Sequence, residues 1–198
     1  MKNGELVDSA LKWQEFKLGE LFEKIPAKFL GKGDKFKFVS KVKTDEYCIP
    51  MVYAKFGDNG IMYWSKKGDF QTYENILSIV YNGAIAAGKV YAQKQQTGIL
   101  AESYFVRLKK CNVDFEVNLF LQCVLEKVLY SKYSRENLAT WSGKVEKDII
   151  SLPVQANGEI AFDFMQDFIK AVQKQSIKAV DLWSEKRINA TKSIIAKP

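Results

Sequence analysis

Residues 162–195 read FDFMQDFIKAVQKQSIKAVDLWSEKRINATKSII, and their spacing decides the architecture. Phe162, Met165, Phe168, Ile169, Val172, Ser176, Ala179, Val180, Trp183, Arg187, Ala190 and Ile194 recur at the period of one helical face. Asp163 is placed to cap a helix, with Gln166 three positions on completing a box-like start. A helix from about Asp163 to Ile195 extends ~50 Å at ~1.5 Å per residue, so it would protrude from a domain this small. Ile177, Leu182, Ile188 and Ile195 lie partly off the stripe, so more than one face needs cover. Two surfaces could bury such a stripe, the chain's own domain or a partner helix. Its length favours the partner, with Met165, Ile169, Val172, Ala179, Val180, Trp183 and Ile194 as the dimerisation residues.

Upstream, the period changes. Trp13–Leu18 looks strand-like, and Gly19 allows a short turn or helix through Leu21 and Phe22. Between Tyr47 and Arg107, short apolar runs alternate with Gly, Asn and Asp. Strands are expected at 47–53, 61–64, 75–81, 89–92 and 103–107, with turns at Gly57–Gly60 and Asn82-Gly83. In residues 114–130, Val117, Leu121, Val124 and Val128 mark an amphipathic helix packed on the sheet. Ile149–Val154 returns to extended structure, because Pro153 disfavours helix at Leu152. The fold class is α+β: a mixed α/β globular domain with a twisted, largely antiparallel or mixed sheet, then a long protruding helix. The boundary falls near residues 155–162, giving a globular domain at 1–157 and a helical one at 158–198.

Composition narrows the chemistry. The chain has 198 residues, is 47% hydrophobic and carries a net charge of +7. That excess suits a polyanionic partner such as nucleic acid or a membrane surface. With no histidine, Ser-His-Asp and Cys-His catalysis and His-ligated zinc are excluded. Cys48, Cys111 and Cys123 form no C-x-x-C pair and are expected to be reduced, mostly buried thiols of a cytoplasmic protein. Met1-Lys2-Asn3-Gly4-Glu5 opens no long apolar run, so no signal peptide is expected, and no stretch approaches the ~20 apolar residues of a spanning helix.

Gly83–Gly88 lacks the Lys-Ser or Lys-Thr of a phosphate loop, since Val90 follows Lys89. The four prolines are never adjacent, so no Asn-Pro-Pro-aromatic motif of an adenine methyltransferase is present. Lys144, Glu146, Lys147 and Asp148 are better explained as a charged turn than as a nuclease metal site. No metal site is expected.

What remains is a binding surface. Lys28, Lys32, Lys35, Lys37, Lys41 and Lys43 surround Phe36 and Phe38 in an exposed loop or hairpin. That loop is either merely solvated or a phosphate-tracking patch with interleaved aromatics. Asn and Gln can pair with adenine, and Arg or Lys with guanine. The candidate DNA contacts are Lys32, Lys35, Lys37, Lys41, Lys43, Asn59, Lys66, Lys67, Asn82, Lys89, Lys94, Gln95, Gln96, Tyr133, Ser134, Arg135 and Lys144.

The order Trp13-x-x-x-x-Leu18-Gly19-Glu20-Leu21-Phe22, Ile49-Pro50-Met51-Val52 and Asp58-Asn59-Gly60-Ile61 resembles the target-recognition domain of type I restriction-modification specificity subunits. So do Asn75–Gly83 with Gly88-Lys89-Val90, Lys132-Tyr133-Ser134 with Lys144-Val145, Ile149–Val154, and Gly158–Ile169. The resemblance implies a DNA-recognition domain followed by a spacer helix that packs against a counterpart. It also implies methyltransferase subunits, which bind S-adenosylmethionine and dock on the helix, a restriction subunit as a further possible partner, and no cofactor in this chain itself. Family members usually hold two recognition domains and two helices, whereas this chain holds one of each. It is then a half-subunit that pairs with itself on a palindromic split target, or half of a longer one. Two other readings stay open: a non-catalytic interaction adaptor with an incidental basic surface, and a stand-alone nuclease.

Overall fold

The computed structural model describes residues 11–195, without the side chains of 190 and 193–195. The opening Met1–Glu5 and the Ile194 side chain therefore lie outside the described residues.

The chain begins with β1 (Lys12–Lys17), a single-turn helix α1 (Leu18–Leu21) and β2 (Phe22–Ile25). It continues through β3 (Val39–Ser40), β4 (Ile49–Val52), β5 (Ile61–Ser65), β6 (Thr72–Tyr73), β7 (Ile76–Val80), β8 (Val90–Gln93), β9 (Thr97–Ile99) and β10 (Ser103–Leu108). Then come α2 (Phe115–Lys132), β11 (Ile149–Val154) and α3 (Phe162–Ile195). The expected single sheet is instead three. β2-β10-β7-β8 form an antiparallel sheet, and β3-β5-β4-β9-β6 form a mixed one in which β4 and β9 run parallel. β1 and β11 pair antiparallel by themselves.

The four-stranded sheet is covered on both faces, which is why β7 is an unbroken apolar or small run with every residue buried. Leu77, Ile79, Tyr104 and Val106 turn to one side and meet Leu121, Leu125 and Leu129 of α2. Ile76 and Phe105, one step along their strands, turn to the other side and meet Val52 and Ile99 of the mixed sheet. The second sheet closes over Met51, Phe70 and Leu100. β9 is among the strands that alternation does not announce. Its Gly98 leaves room for the Met51 thioether, which a Cβ there would meet at 2.7 Å.

In α3, Phe162 begins the helix, so Asp163 lies inside the first turn and does not cap it. Its charge still favours the positive end of the helix. Met165 is fully buried in the main core beside Leu121 and Leu125, Ile169 packs on that core, and Phe168 meets Phe120 edge-on at 5.9 Å. Gln166 donates to the Asp114 carboxylate at the start of α2. Met165 is thus a core residue of the globular domain, not part of a free pairing face. From Val172 to Ile188 the apolar residues are open: Val180 is 60% and Trp183 58% exposed.

The cysteines also correct the expectation. Cys48, Cys111 and Cys123 are exposed free thiols. On α2 the inward positions are Val117, Leu121, Leu125 and Leu129, and Cys123 falls between them on the outer side. Among the described residues, no helix is long and apolar enough to cross a membrane.

Candidate nucleic-acid interface

The lysine loop is shaped by its own short polar residues. The Asp34 carboxylate accepts the Phe36 N–H at 3.0 Å and starts a 3-10 turn over Lys35–Phe38. Ser40 Oγ accepts from Val42 N and donates to Val42 O, and Thr44 Oγ1 accepts from Tyr47 N at 3.0 Å. Phe38 and Val39 anchor the loop on the core around Met51 and Phe70, so Phe38 is structural and Phe36 is the exposed aromatic. Lys32, Lys37, Lys41 and Lys43 are exposed and Lys35 is half-buried. The ion pairs among the described residues are Lys55–Asp58, Lys66–Glu46, Lys89–Glu126, Arg107–Glu23 and Lys132–Asp148. None of these five loop lysines therefore has a carboxylate in reach among the described residues. Lys43 lies over the Trp64 ring at 4.9 Å.

A chain of contacts leads from this loop across the domain. Phe36 packs on Tyr53, and the Tyr53 carbonyl accepts from Ser103 Oγ at 3.3 Å. The neighbouring Glu102 carbonyl accepts from the N–H groups of Tyr81 and Asn82. The Tyr81 carbonyl accepts from Ala139 N, and Tyr104 packs edge-on against Trp141. Asn82 and the 139–144 turn are thus linked to the lysine loop through the ends of β4, β7 and β10. Glu102 has a left-handed φ of 56° and one buried carboxylate oxygen without a hydrogen-bond partner. Burial, followed by that carboxylate, pushes the Tyr81 phenol above its ordinary pKa. Sequence reading missed Glu102, Tyr53 and Tyr63, because nothing local sets them apart.

Several candidate contacts are engaged inside the fold. The Asn59 amide donates to Ala92 O at 3.1 Å and Gln93 Oε1 at 3.0 Å, fastening a left-handed turn to β8. Lys89 pairs with Glu126 of α2 at 2.5 Å and sits over the rings of Phe56 and Tyr130. Tyr133 is 5% exposed and its hydroxyl donates to Asp148 Oδ2 at 2.7 Å. Ser134 Oγ accepts from the N–H groups of Glu136 and Asn137 and shapes that turn. Lys144 Nζ donates to Asn137 Oδ1 at 2.8 Å and Leu138 O at 3.2 Å, closing the same loop. Lys66 is held by Glu46 at 2.6 Å, a hydrogen bond that raises its pKa. Asn59, Lys66, Lys89 and Tyr133 thus have partners distant in sequence, whereas Ser134 and Lys144 are engaged within their own loop.

Lys67, Gln95, Gln96 and Arg135 are exposed. Lys94 is exposed too, with its ammonium over the Phe115 ring at 5.5 Å. The Lys94–Gln96 turn therefore lies by the start of α2. Gly83–Gly88 is a turn packed on α2, where a Cβ at Gly88 would meet Leu129 O at 2.5 Å. It opens no helix. A cleft of about 740 Å³ at the root of α3, lined by Glu20, Lys110, Glu159 and Asp163 among others, mixes both charges and does not select a polyanion. Among the described residues, no group of three or more Cys, Asp or Glu side chains could hold a metal ion.

Residues 11–182 match the type I restriction modification DNA specificity domain, and the chain belongs to that family. It is similar to the specificity subunit S.BcgI of a type II restriction enzyme from Heyndrickxia coagulans, at 25% identity over 170 residues. That match covers 84% of this chain and 45% of the relative. Among solved structures it resembles the type I restriction-modification S subunit of M. genitalium, with a TM-score of 0.57 and 12% identity over 93% of this chain and 44% of that one. It also resembles a chain solved for the structural basis of complex assembly and conformational transition of the type I R-M system, with a TM-score of 0.55 and 14% identity, covering 96% and 47%. These two likenesses show the fold. The chain spans somewhat under half the length of the relatives it matches.

Proposed function

We propose that this chain is a sequence-specific DNA-recognition component of a restriction-modification system. Its globular domain reads one half of a bipartite target, and α3 pairs with a second copy that reads the other half. The observation that carries this reading is the match to a DNA specificity domain along residues 11–182. It is supported by the lysine loop, whose ammonium groups have no carboxylate partner among the described residues and suit phosphates, supplying affinity without sequence preference. Lys67, Asn82, Gln95, Gln96 and Arg135 are the side chains best placed to read base edges.

In this reading the chain is not an enzyme. It lacks the histidine of common nucleophilic sites. S-adenosylmethionine and methyl transfer belong to methyltransferase subunits, with a restriction subunit as a further partner. The complex works on double-stranded DNA in the cytoplasm and uses no membrane contact. Residues 1–157 form the reader and 158–198 the pairing and docking helix, whose first turns complete the reader's core.

Co-purification with the methyltransferase subunit, followed by mapping of methylated bases, tests this. The expected product is one motif of two identical half-sites separated by a constant gap. Methylation without any shared sequence rejects the proposal.

A further inference from the structure

The lysine loop carries one ring that charge contacts leave unexplained. Phe36 is 42% exposed and lies between Lys35 and Lys37, although its neighbours Phe38 and Val39 turn into the core. An exposed aromatic gains nothing from phosphates, but it gains where water is displaced by another apolar surface. Phe36 is also braced. Its N–H is held by Asp34, and its ring meets Tyr53 at 6.0 Å and Tyr63 at 6.3 Å, both edge-on. Those two tyrosines meet each other edge-on at 6.0 Å, so the three rings form a closed triangle. A ring pushed inward would press on two aromatic neighbours already in contact.

We propose that Phe36 inserts at a base step of the bound duplex while Lys35 and Lys37 hold the phosphates on either side. This rests on the DNA-recognition reading and deepens it. The chain then reads how easily one step unstacks, favouring flexible pyrimidine–purine steps, in addition to hydrogen bonds at base edges. The occupant is duplex DNA because the exposed ring is bracketed by lysines. A protein groove suited to Phe36 would have to neutralise those charges as well.

The test uses the full chain and the duplex it recovers from a random-sequence pool. A fluorescent adenine analogue is placed at successive positions, and energy transfer between labelled ends reports the bend. Wild type is expected to brighten the analogue at one step and bend the duplex by about 20–90°. Phe36→Ala should lose both and weaken binding to that duplex about 10-fold or more. The slope of affinity against salt should stay unchanged, because the lysines remain. Melting curves separate loss of the ring from loss of the fold; if Phe36→Ala melts early, the wild-type signals decide alone. A bend that survives in a folded Phe36→Ala chain, or a wild-type complex with neither brightening nor bend, overturns the insertion while recognition stands. Failure of the wild type to recover any preferred sequence removes the recognition reading and the insertion together.

Discussion

The Tyr133 hydroxyl donates to Asp148 Oδ2 at 2.7 Å, with both residues buried where α2 ends and β11 begins. Lys132 pairs with the other Asp148 oxygen, and the Asp148 carbonyl accepts from Leu18 N at 2.8 Å. One carboxylate residue thus ties together α1, α2 and β11. A residue that sequence alone offers as a DNA contact is a clamp within the domain.

Tyr133→Phe should cost about 1.5–3 kcal/mol, the range for a hydrogen bond to a charged group. Burial first, and Asp148 second, raise the Tyr133 pKa above its ordinary 10.0. The folded chain therefore holds this proton more tightly than the unfolded chain. That contribution is complete below about pH 10 and is lost as pH rises through the folded value. Melting temperature against pH should fall above pH 10 in wild type and fall less in Tyr133→Phe.

Lys89 and the loop lysines should behave oppositely. Lys89→Ala strands Glu126 and should cost about 1–3 kcal/mol, less than for a fully buried pair because both side chains keep some solvent. It should leave the salt slope of DNA binding unchanged. Lys37→Ala or Lys41→Ala should leave stability alone, weaken binding to all sequences alike and lower that slope by about 1 each. Denaturant melts and salt titrations on the same samples separate the two classes.

The helix residues divide in the same way. Met165→Ala should cost about 2–5 kcal/mol of domain stability, because its side chain is fully buried. Val180→Asp with Trp183→Asp should leave the domain's melting unchanged and convert a dimer to a monomer, read by light scattering. A wild-type monomer, or a dimer that survives the double change, rejects pairing through this stretch.

Gly88→Ala should destabilise by more than about 1 kcal/mol. Its φ is +83°, and the added Cβ would meet the Leu129 carbonyl oxygen at 2.5 Å. Chemical denaturation measures it directly.

What was legible in the sequence follows from range. Apolar spacing places α2 and α3, apolar runs between turn residues place β7 and β10, and Pro153 places β11, because all of these signals are local. β2 was hidden as the tail of a helical turn, and β9 by Gly98, which packs against Met51. The exposed lysine loop was readable because its charge density is itself local. The roles of Asn59 and Lys89 were not, since their partners Gln93 and Glu126 lie 34 and 37 positions away. A polar residue in a loop looks the same whether water or a distant strand satisfies it. Cys123 is exposed because apolar sequence neighbours do not decide which side of a helix a residue faces, while Cys48 and Cys111 lie in exposed connections before β4 and α2.

The most direct measurement is competitive selection from random duplexes by the full chain, alone and with the proposed methyltransferase subunit, at fixed salt. The expected result is a defined half-site, recovered as an inverted pair when the chain is dimeric. Binding that depends on salt but shows no preference among sequences would contradict sequence recognition and leave only a basic domain with an exposed helix.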